Sequence, residues 1–247
     1  MKAWGVSNVG LVRKNNEDSF LVLPHKGLFA VADGMGGHNA GEIASQLAVG
    51  ILEKRAGDLA DRGMAAMVEA MREANERILE EGKRLAAREG MGTTLTALLV
   101  QGTKALIGHV GDSRAYLWRD RALICLTEDH SIVAELVRLG RLTESQARAH
   151  PSRNVLSRAL GVEPDPEVDT LQVAISPGDV FLLITDGVSN FINDSELGAH
   201  LAACAAGGEE IACRRLLGEL SDQILERGAS DNFTIVCCLV DSGEGAV

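Results

Sequence analysis

A chain of 247 residues is long enough to bury one large core, and its 46% hydrophobic and 24% charged residues are typical of a folded globular protein. With 35 acidic and 24 basic side chains its formal net charge is −11, which disfavours nucleic acid and anionic membranes as partners. The sequence has neither a secretory signal pattern nor an apolar run of roughly 20 residues, so we expect a cytoplasmic protein that is not inserted in a membrane.

Ten short segments, taken in chain order, have the composition of β-strands. They are rich in Val, Ile, Leu and Phe, and Gly, Asn or Asp bound them. The predicted strands are residues 3–7, 18–23, 27–32, 93–101, 104–110, 114–118, 122–125, 168–174, 179–185 and 233–240.

Helical patterns interrupt the strands in two pairs. Residues 42–54 precede a long pattern over 64–88, whose recurring methionines we interpret as core packing. The second pair covers 196–205 and 209–227, with Ser195 as a predicted cap. Strands in runs between helix pairs predict an α+β fold, a four-layer α-β-β-α sandwich of two stacked, mainly antiparallel sheets flanked by helices. We expect a single domain over residues 1–241 and a disordered tail over 242–247.

Residues 131–160, here called the flap, differ from the rest in charge. Gly140 is predicted to end one short helix, and Thr143 with Gln146 fits a capping box that opens the next. Five arginines and two glutamates give the flap a formal charge of +3. Two interpretations stay open: a solvated helical hairpin, or a mobile element that meets a phosphorylated, acidic partner segment. The arginines are Arg138, Arg141, Arg148, Arg153 and Arg158.

Aspartates lie at the ends of several predicted strands. A single Asp-Gly pair is explained well enough as a turn dipeptide. Four such acids, together with the acidic NNEDS at 15–19 after Arg13, indicate instead that carboxylates converge at the end of a sheet. The four are Asp33, Asp112, Asp186 and Asp231.

Converging carboxylates require a cation, because like charges a few ångströms apart raise each other's pKa steeply. Mg²⁺ and Mn²⁺ suit a shell made only of oxygen ligands, and no His/Cys set has the spacing of a zinc site. The glycine after Asp33 leaves that carboxylate and the Gly34 carbonyl free to face an ion. Two ions about 3.5 to 4 Å apart can activate a water beside a phosphorus centre. Arg13 has the planar guanidinium that matches two phosphate oxygens.

Eight motifs occur in a defined order along the chain: VRKNNEDSF (12–20), VADGMGGHNAGEIAS (31–45), MGTTLTAL (91–98), GHVGDSRAYL (108–117), LTEDHS (126–131), NVLSRALG (154–161), LLITDGVSN (182–190) and SDNFTIV (230–236). In order and spacing they closely resemble the metal-dependent protein phosphatase family (PPM, the type 2C Ser/Thr phosphatases), in particular its bacterial branch. Each motif alone is weak, but the ordered set is specific and extends from near residue 4 to near residue 240.

The resemblance implies a binuclear manganese or magnesium site at one end of the sandwich. At the matching positions, Asp33 resembles the carboxylate that bridges both ions, and Gly34 resembles the residue whose carbonyl binds one of them. Asp186 and Asp231 resemble ligands of the other ion.

Further positions match residues that surround such a site. Glu17 and Asp18 resemble acids that hold metal-bound waters, and Arg13 resembles the arginine that binds phosphate. Asp112, with Asp186, resembles the pair that holds a third, weaker metal in bacterial members. The side chains expected to support this shell by hydrogen bonds are Thr94 and Asn232.

One position departs from the family pattern. Many eukaryotic members have a histidine after the Asp-Gly pair as a proposed general acid, whereas this chain has Met35, which cannot donate a proton. The remaining candidates are a metal-bound water or His38, three residues further on.

The resemblance implies a monomeric Ser/Thr phosphoprotein phosphatase. It would hydrolyse phosphomonoesters by in-line attack of a water or hydroxide that bridges two divalent metals, without a phosphoenzyme intermediate. Its partners would be phosphorylated proteins, namely a bacterial Ser/Thr kinase and that kinase's substrates. Two alternatives stay open: a binding module that has lost catalysis, although all the ligand positions are intact, and a phosphatase for small metabolites, which would differ only in pocket shape.

Overall fold

The computed structural model describes residues 1–37, 40–85, 88–204 and 209–240. Within them two antiparallel sheets are stacked face to face with helices on their outer surfaces, which confirms the predicted α+β architecture. The predicted tail at 242–247 lies outside the described residues. In the described part of the chain, no helix combines the length and the apolar character needed to cross a bilayer.

One sheet contains five strands. In chain order they are β1 (Lys2–Asn8), β7 (Arg114–Arg119), β8 (Ala122–Cys125), β10 (Val180–Ile184) and β11 (Phe233–Leu239). Their order in space is β1-β11-β10-β7-β8, so the last strand of the sequence is inserted between the first strand and β10.

The other sheet contains six strands. In chain order they are β2 (Asp18–Leu23), β3 (Leu28–Met35), β4 (Gly92–Thr93), β5 (Leu95–Gln101), β6 (Lys104–Val110) and β9 (Asp169–Ala174). The order is β2-β3-β5-β6-β9, and β4 pairs with the end of β3.

Helices cover the outer face of each sheet. The α-helices in the described residues are α1 (Ala40–Lys54), α2 (Ala56–Arg62), α3 (Met64–Arg84), α4 (Ile132–Arg138), α5 (Glu144–Arg148), α6 (Asp186–Ser189), α7 (Asp194–Cys204) and α8 (Glu209–Glu226). The first three pack on the six-stranded sheet, and α7 and α8 pack on the five-stranded sheet.

Alternation along the strands builds three apolar layers, because successive side chains of a strand point to opposite faces. Phe29 and Val31 of β3 lie between the two sheets, whereas Ala30 faces the helices. On β11, Cys237 faces the outer helices and Cys238 faces the other sheet. Both sheets are therefore covered on both faces.

The structure corrects some of the predicted boundaries. The strand predicted at 27–32 continues to Met35, because Gly34 and Met35 pair with β4. The strand predicted at 93–101 is divided into β4 and β5, and α2 and α6 were not predicted. The long helix predicted to 88 ends at Arg84.

The predicted helix caps have mixed outcomes. Ser195 is wrong as a cap, since α7 begins at Asp194 and the side chain of Asn193 accepts from the Glu196 N–H at 3.0 Å. The Glu196 carboxylate accepts in return from the Asn193 N–H at 3.1 Å. The capping box of Thr143 and Gln146 at the start of α5 is confirmed.

Candidate active site

A cleft of about 210 Å³ lies where ends of both sheets meet the loop before β2 and the flap. Five acids line it, and each comes from a different place in the topology. Its lining comprises Arg13, Glu17, Asp33, Gly34, Met35, Gly36, Thr94, Asp112, Asn154, Leu156, Asp186, Asp231 and Asn232. The structure thus brings together residues that are more than 200 positions apart in the sequence.

Asp33 lies inside β3, not at its end as the sequence suggested. Its cross-strand partner is Asp18, the first residue of β2, so two acids oppose each other in the register. Like charges placed directly opposite destabilise a sheet unless a cation lies between them. The pairing of Asp18 with Asp33 is therefore better explained by a cation-binding role than by a contribution to the stability of the sheet.

Hydrogen bonds to its main chain fix the position of Asp33. Its N–H donates to Thr94 Oγ1 at 2.9 Å, and its carbonyl accepts from the Thr94 N–H at 2.9 Å. The Thr93 hydroxyl donates to the same carbonyl at 2.9 Å. The break between β4 and β5 allows Thr94 to make these contacts instead of continuing the ladder.

Burial raises the pKa of the carboxyl groups at the centre of the cleft. The pKa values of Asp33 and Asp112 lie well above the usual range, first because of burial and then because of neighbouring acids. Burial also raises the pKa of Asp186, although a hydrogen bond with the Asp33 carboxyl opposes the shift. Burial thus disfavours the ionised form of each of these three carboxyl groups.

Asp18 lies behind this group. Its Oδ2 accepts from the hydroxyls of Thr185 at 2.9 Å and Thr234 at 2.7 Å. Its Oδ1 is buried and has no hydrogen-bond partner among the described residues. Burial raises the pKa of Asp18 to about 7, and burial also raises the pKa of Glu17.

Asn232 ties the loop before β2 to the start of β11. Its Oδ1 accepts from the Glu17 N–H at 2.8 Å, and its Nδ2 donates to the carbonyls of Val9 and Asn15, both at 2.9 Å. The same loop carries Arg13, whose Nη2 donates to Asp231 Oδ2 at 2.8 Å. The arginine side chain is 52% exposed, so the remainder of its guanidinium faces the mouth of the cleft.

Gly34 is required by close backbone packing. A side chain at this position would bring its Cβ within 2.0 Å of the Gly41 carbonyl oxygen and 2.6 Å of that of Glu17. The site-bearing end of β3 is thus pressed against the start of α1.

The donor set has the chemistry of a site for hard divalent cations. It offers several carboxylates, raised pKa values and a buried oxygen without a partner, all of which a cation would satisfy. In the described part of the chain, no group of three or more His, Cys, Asp or Glu side chains is placed so that it could hold a metal ion without rearrangement. One carboxylate, that of Asp231, is turned towards Arg13. The donor chemistry of the cleft fits a hard cation, for which Asp231 would exchange this contact.

The flap is a helical hairpin whose stem ends at the cleft, where it contributes Asn154 and Leu156. Its arginines are not equivalent. Arg158 forms ion pairs with Glu167 and Asp169, both at 2.9 Å, and Arg138 lies 3.5 Å from Glu128. The side chains that form no ion pair with a described residue are Arg141, Arg148 and Arg153. The positive charge available to a partner is therefore smaller than the composition suggested.

Some polar residues of the site were not anticipated. They are Thr185 and Thr234, which bind Asp18, Asn190, which donates to Asp186 Oδ2 at 3.1 Å, and Asn154 of the flap. Thr185 and Thr234 adjoin the acidic motifs in ITDG and DNFT, and this proximity in the sequence could have indicated that they belong to the site. His38, a candidate proton donor, lies outside the described residues.

The two-sheet sandwich and its acidic cleft have the architecture of a metal-dependent phosphatase. The family model described as "Protein phosphatase 2C" matches residues 12–228. The chain is 36% identical over 239 residues to the serine/threonine phosphatase stp of Listeria monocytogenes, covering 92% of this chain and 91% of the relative. The chain belongs to the protein phosphatase 2C family.

Solved structures agree with this assignment. The crystal structure of the Mycobacterium tuberculosis serine/threonine phosphatase PstP/Ppp superposes with a TM-score of 0.85 at 37% identity, covering 97% of this chain and 98% of that one. A structure of the PstP catalytic domain in complex with 2 manganese ions has a TM-score of 0.82 at 36% identity, with coverage of 97% and 98%. The fold is thus shared with a protein that holds manganese.

Proposed function

We propose that this chain is a metal-dependent Ser/Thr phosphoprotein phosphatase. The observation that carries the proposal is the convergence of Asp33, Asp112 and Asp186 in one cleft, with Arg13 at its mouth. The Ser/Thr phosphatase function of the relatives and the two manganese ions bound by one of them support it.

The residues that would hold two Mn²⁺ or Mg²⁺ ions are those at the centre of the cleft. Asp33 would bridge both ions, the Gly34 carbonyl would serve one, and Asp186 with Asp231 would serve the other. Bound there, the ions would supply a nucleophilic water for in-line attack on phosphorus, with no phosphoenzyme intermediate.

The surrounding acids would act through water or through a weaker site. Glu17 and Asp18 would hold waters of hydration by hydrogen bonds, which suits the unpartnered Oδ1 of Asp18. Asp112 lines the same cleft as Asp186 and would complete a third, weaker site with it. Thr94 and Asn232 would keep Asp33 and the Arg13 loop in place by the hydrogen bonds described above.

Arg13 would bind and orient the phosphate group. Its guanidinium has donors to spare beyond the bond to Asp231, and a bidentate contact to phosphate oxygens is the geometry that arginine favours. With Asp231 serving as a metal ligand, the Arg13 donor that now bonds it would also be available to phosphate.

The leaving alcohol needs a proton, and Met35 in the cleft has none to donate. We propose a water of the cleft as the donor, with His38 as the alternative protein group.

The substrates we propose are phosphorylated proteins, including a Ser/Thr kinase and that kinase's targets. The flap stands beside the cleft and presents three exposed arginines, which suits an acidic or phosphorylated protein segment better than a small metabolite.

The proposal is tested by hydrolysis of p-nitrophenyl phosphate and of matched phosphoserine, phosphothreonine and phosphotyrosine peptides. We expect turnover with added Mn²⁺ or Mg²⁺, loss with a chelator, and preference for phosphoserine and phosphothreonine. Turnover that persists after exhaustive chelation, or that prefers phosphotyrosine, would refute the proposal.

A further inference from the structure

His130 holds the turn that carries Asp112. The main-chain N–H of His130 donates to the Gly111 carbonyl at 2.8 Å, and the Gly111 N–H donates to Nδ1 of the His130 ring at 3.1 Å. Both main-chain polar groups of Gly111 are therefore bound by one residue, His130, which is 6% exposed.

The conformation of this turn decides where Asp112 lies. Gly111 has a φ of +113°, a value that favours glycine, and a Cβ there would lie 2.5 Å from Thr94 Cβ. Val110 ends β6 immediately before it, and Asp112 follows it into the cleft. Without the two bonds to His130, the permissive glycine would leave the direction of Asp112 poorly defined.

The other side of the His130 ring is tied to the base of the flap. Because Nδ1 accepts a hydrogen bond, the ring proton is on Nε2, which lies 3.1 Å from Asp169 Oδ2. The second oxygen of Asp169 accepts from Arg158 Nη1 at 2.9 Å. The His130 carbonyl also accepts from the Ser157 N–H at 2.9 Å.

The neighbouring buried histidine, His109, does not connect the Asp112 turn to the flap. Its ring lies 4.7 Å from that of His130, but its bonds go to Thr96 and to the Glu128 carbonyl. Neither bond of its side chain reaches Gly111 or the flap. Of these two neighbouring histidines, it is His130 whose bonds reach both Gly111 and the flap.

We propose that His130 is a positioning residue, which holds the Asp112 turn against the base of the flap while Asp169 orients its ring. The inference rests on the proposed function, since Asp112 acts there as a metal-binding acid. The chain Asp169–His130–Gly111 then sets the place of Asp112 without touching substrate.

The test is a double-mutant cycle between His130→Ala and Asp112→Ala, measured with p-nitrophenyl phosphate and Mn²⁺. We expect His130→Ala to lower turnover by about 10- to 100-fold, the usual effect of losing a group that orients a metal ligand. In the Asp112→Ala background the same change is expected to cost nothing further, because there is no carboxylate left to position. Equal losses in both backgrounds would overturn the inference.

Two more variants sharpen the cycle. His130→Asn keeps an acceptor for the Gly111 N–H but cannot reach Asp169, so we expect a partial recovery, and this variant replaces His130→Ala in the cycle if the latter does not fold. His200→Ala is the control. His200 lies on α7 and bonds Gln223 of α8, on the outer face of the five-stranded sheet, and should show no coupling to Asp112.

Hydrogen exchange of the chelated protein gives a measurement that needs no activity. Loss of the His130 ring should speed exchange in the segments 109–113 and 155–160 together, whereas His200→Ala should leave both unchanged. Unchanged exchange in 109–113 would overturn the inference. An inactive wild type would refute the proposed function instead, and full activity of Asp112→Ala would refute the inference while leaving metal-dependent hydrolysis intact.

Discussion

At the scale of single residues, Asp18, which lies behind the cleft, shows how burial disfavours an ionised carboxyl group. Its buried Oδ1 has no partner among the described residues, and burial raises its pKa to about 7. Since the folded-state pKa lies above the ordinary value of 3.8, its contribution to stability is fully present below pH 3.8 and is lost as the pH rises through about 7. The pKa values of Asp33 and Asp112 shift in the same direction.

The metal-free protein should therefore be more stable at pH 6.5 than at about pH 8. Below this window His109 acts in the opposite sense: burial lowers its pKa from 6.5 to about 4, so its contribution is present above pH 6.5 and is lost as the pH falls through about 4. Thermal unfolding in chelator at several pH values measures the effect. Asp18→Asn should flatten it, and a Tm that does not change between pH 6.5 and about pH 8 would contradict this account.

Asp33→Asn should separate stability from activity. We expect the variant to lose turnover by at least about 10³-fold, as when one member of a cooperating catalytic set is removed. Its metal-free Tm at about pH 8 should rise, because the amide cannot ionise at a site where burial raises the pKa of the Asp33 carboxyl, and added Mn²⁺ should no longer raise it. Asp165→Asn, at a side chain 89% exposed, is the control. A near-normal rate for Asp33→Asn would remove this residue from the site.

At the scale of elements, the contact between β3 and α1 places the cleft. Gly34 and Gly41 face each other so closely that a Cβ on Gly41 would lie 2.7 Å from the Gly34 carbonyl carbon and 2.9 Å from the Glu17 carboxyl carbon. A side chain at position 41 would push α1 away from β3, and this shift would displace the Glu17 loop and the end of β3. Glycine is therefore needed at position 41 to keep the cleft residues in place, and not to form the helix.

Two glycines of the same helix provide a matched test of this contact. Gly41→Ala should destabilise the fold by about 1–3 kcal/mol through overpacking. Gly50→Ala, in the same helix with no atom within 4 Å of the added Cβ, should stabilise it by about 0.5–1 kcal/mol. Urea unfolding of both variants measures the difference, and equal effects would show that the close contact carries no energetic weight.

The flap allows a test of substrate choice. Replacing Arg141, Arg148 and Arg153 by Ala should lower kcat/KM for a phosphoprotein by about tenfold, or about 1.4 kcal/mol, while p-nitrophenyl phosphate is affected much less. The control replaces three basic residues of α3, Arg72, Arg77 and Lys83. Equal losses on both substrates, or equal losses in the control, would reject a role in recognition.

Helices and strands were predictable where the hydrophobic pattern extended over the usual length of such an element, and short elements were not. All the predicted strands exist, since alternation and turn residues mark them clearly. The helix α6 was missed because Asp186-Gly187 also has the composition of a simple turn, and the continuation of β3 was missed because its partner β4 has only two residues. Such short elements are decided by tertiary pairing, which no local pattern records.

At the scale of the whole molecule, charge should govern association. A net charge of −11 repels acidic partners at long range, while the flap offers positive charge only locally. We expect kcat/KM for a strongly acidic phosphopeptide to rise when salt increases from about 0.01 to about 0.1 M, as the Debye length falls from about 30 to about 10 Å. A basic phosphopeptide should show the reverse, and the same salt response for both would contradict long-range steering.

Topology also explains what the sequence could and could not tell about the site. The acids themselves were identifiable from their motifs, but their mutual contacts depend on strand order. Arg13 meets Asp231 only because β11 is inserted beside β1, 218 positions later in the chain. The bond of Asp18 to Thr234 has the same origin.

This insertion has a consequence for biosynthesis. On the ribosome, the nascent chain has β1 and β10 available long before β11 emerges to fill the gap between them. Asp231 and Asn232 arrive with that same strand, so the cleft is complete only after β11 has been translated. A nascent chain in which β11 has not yet emerged therefore lacks two residues that line the cleft.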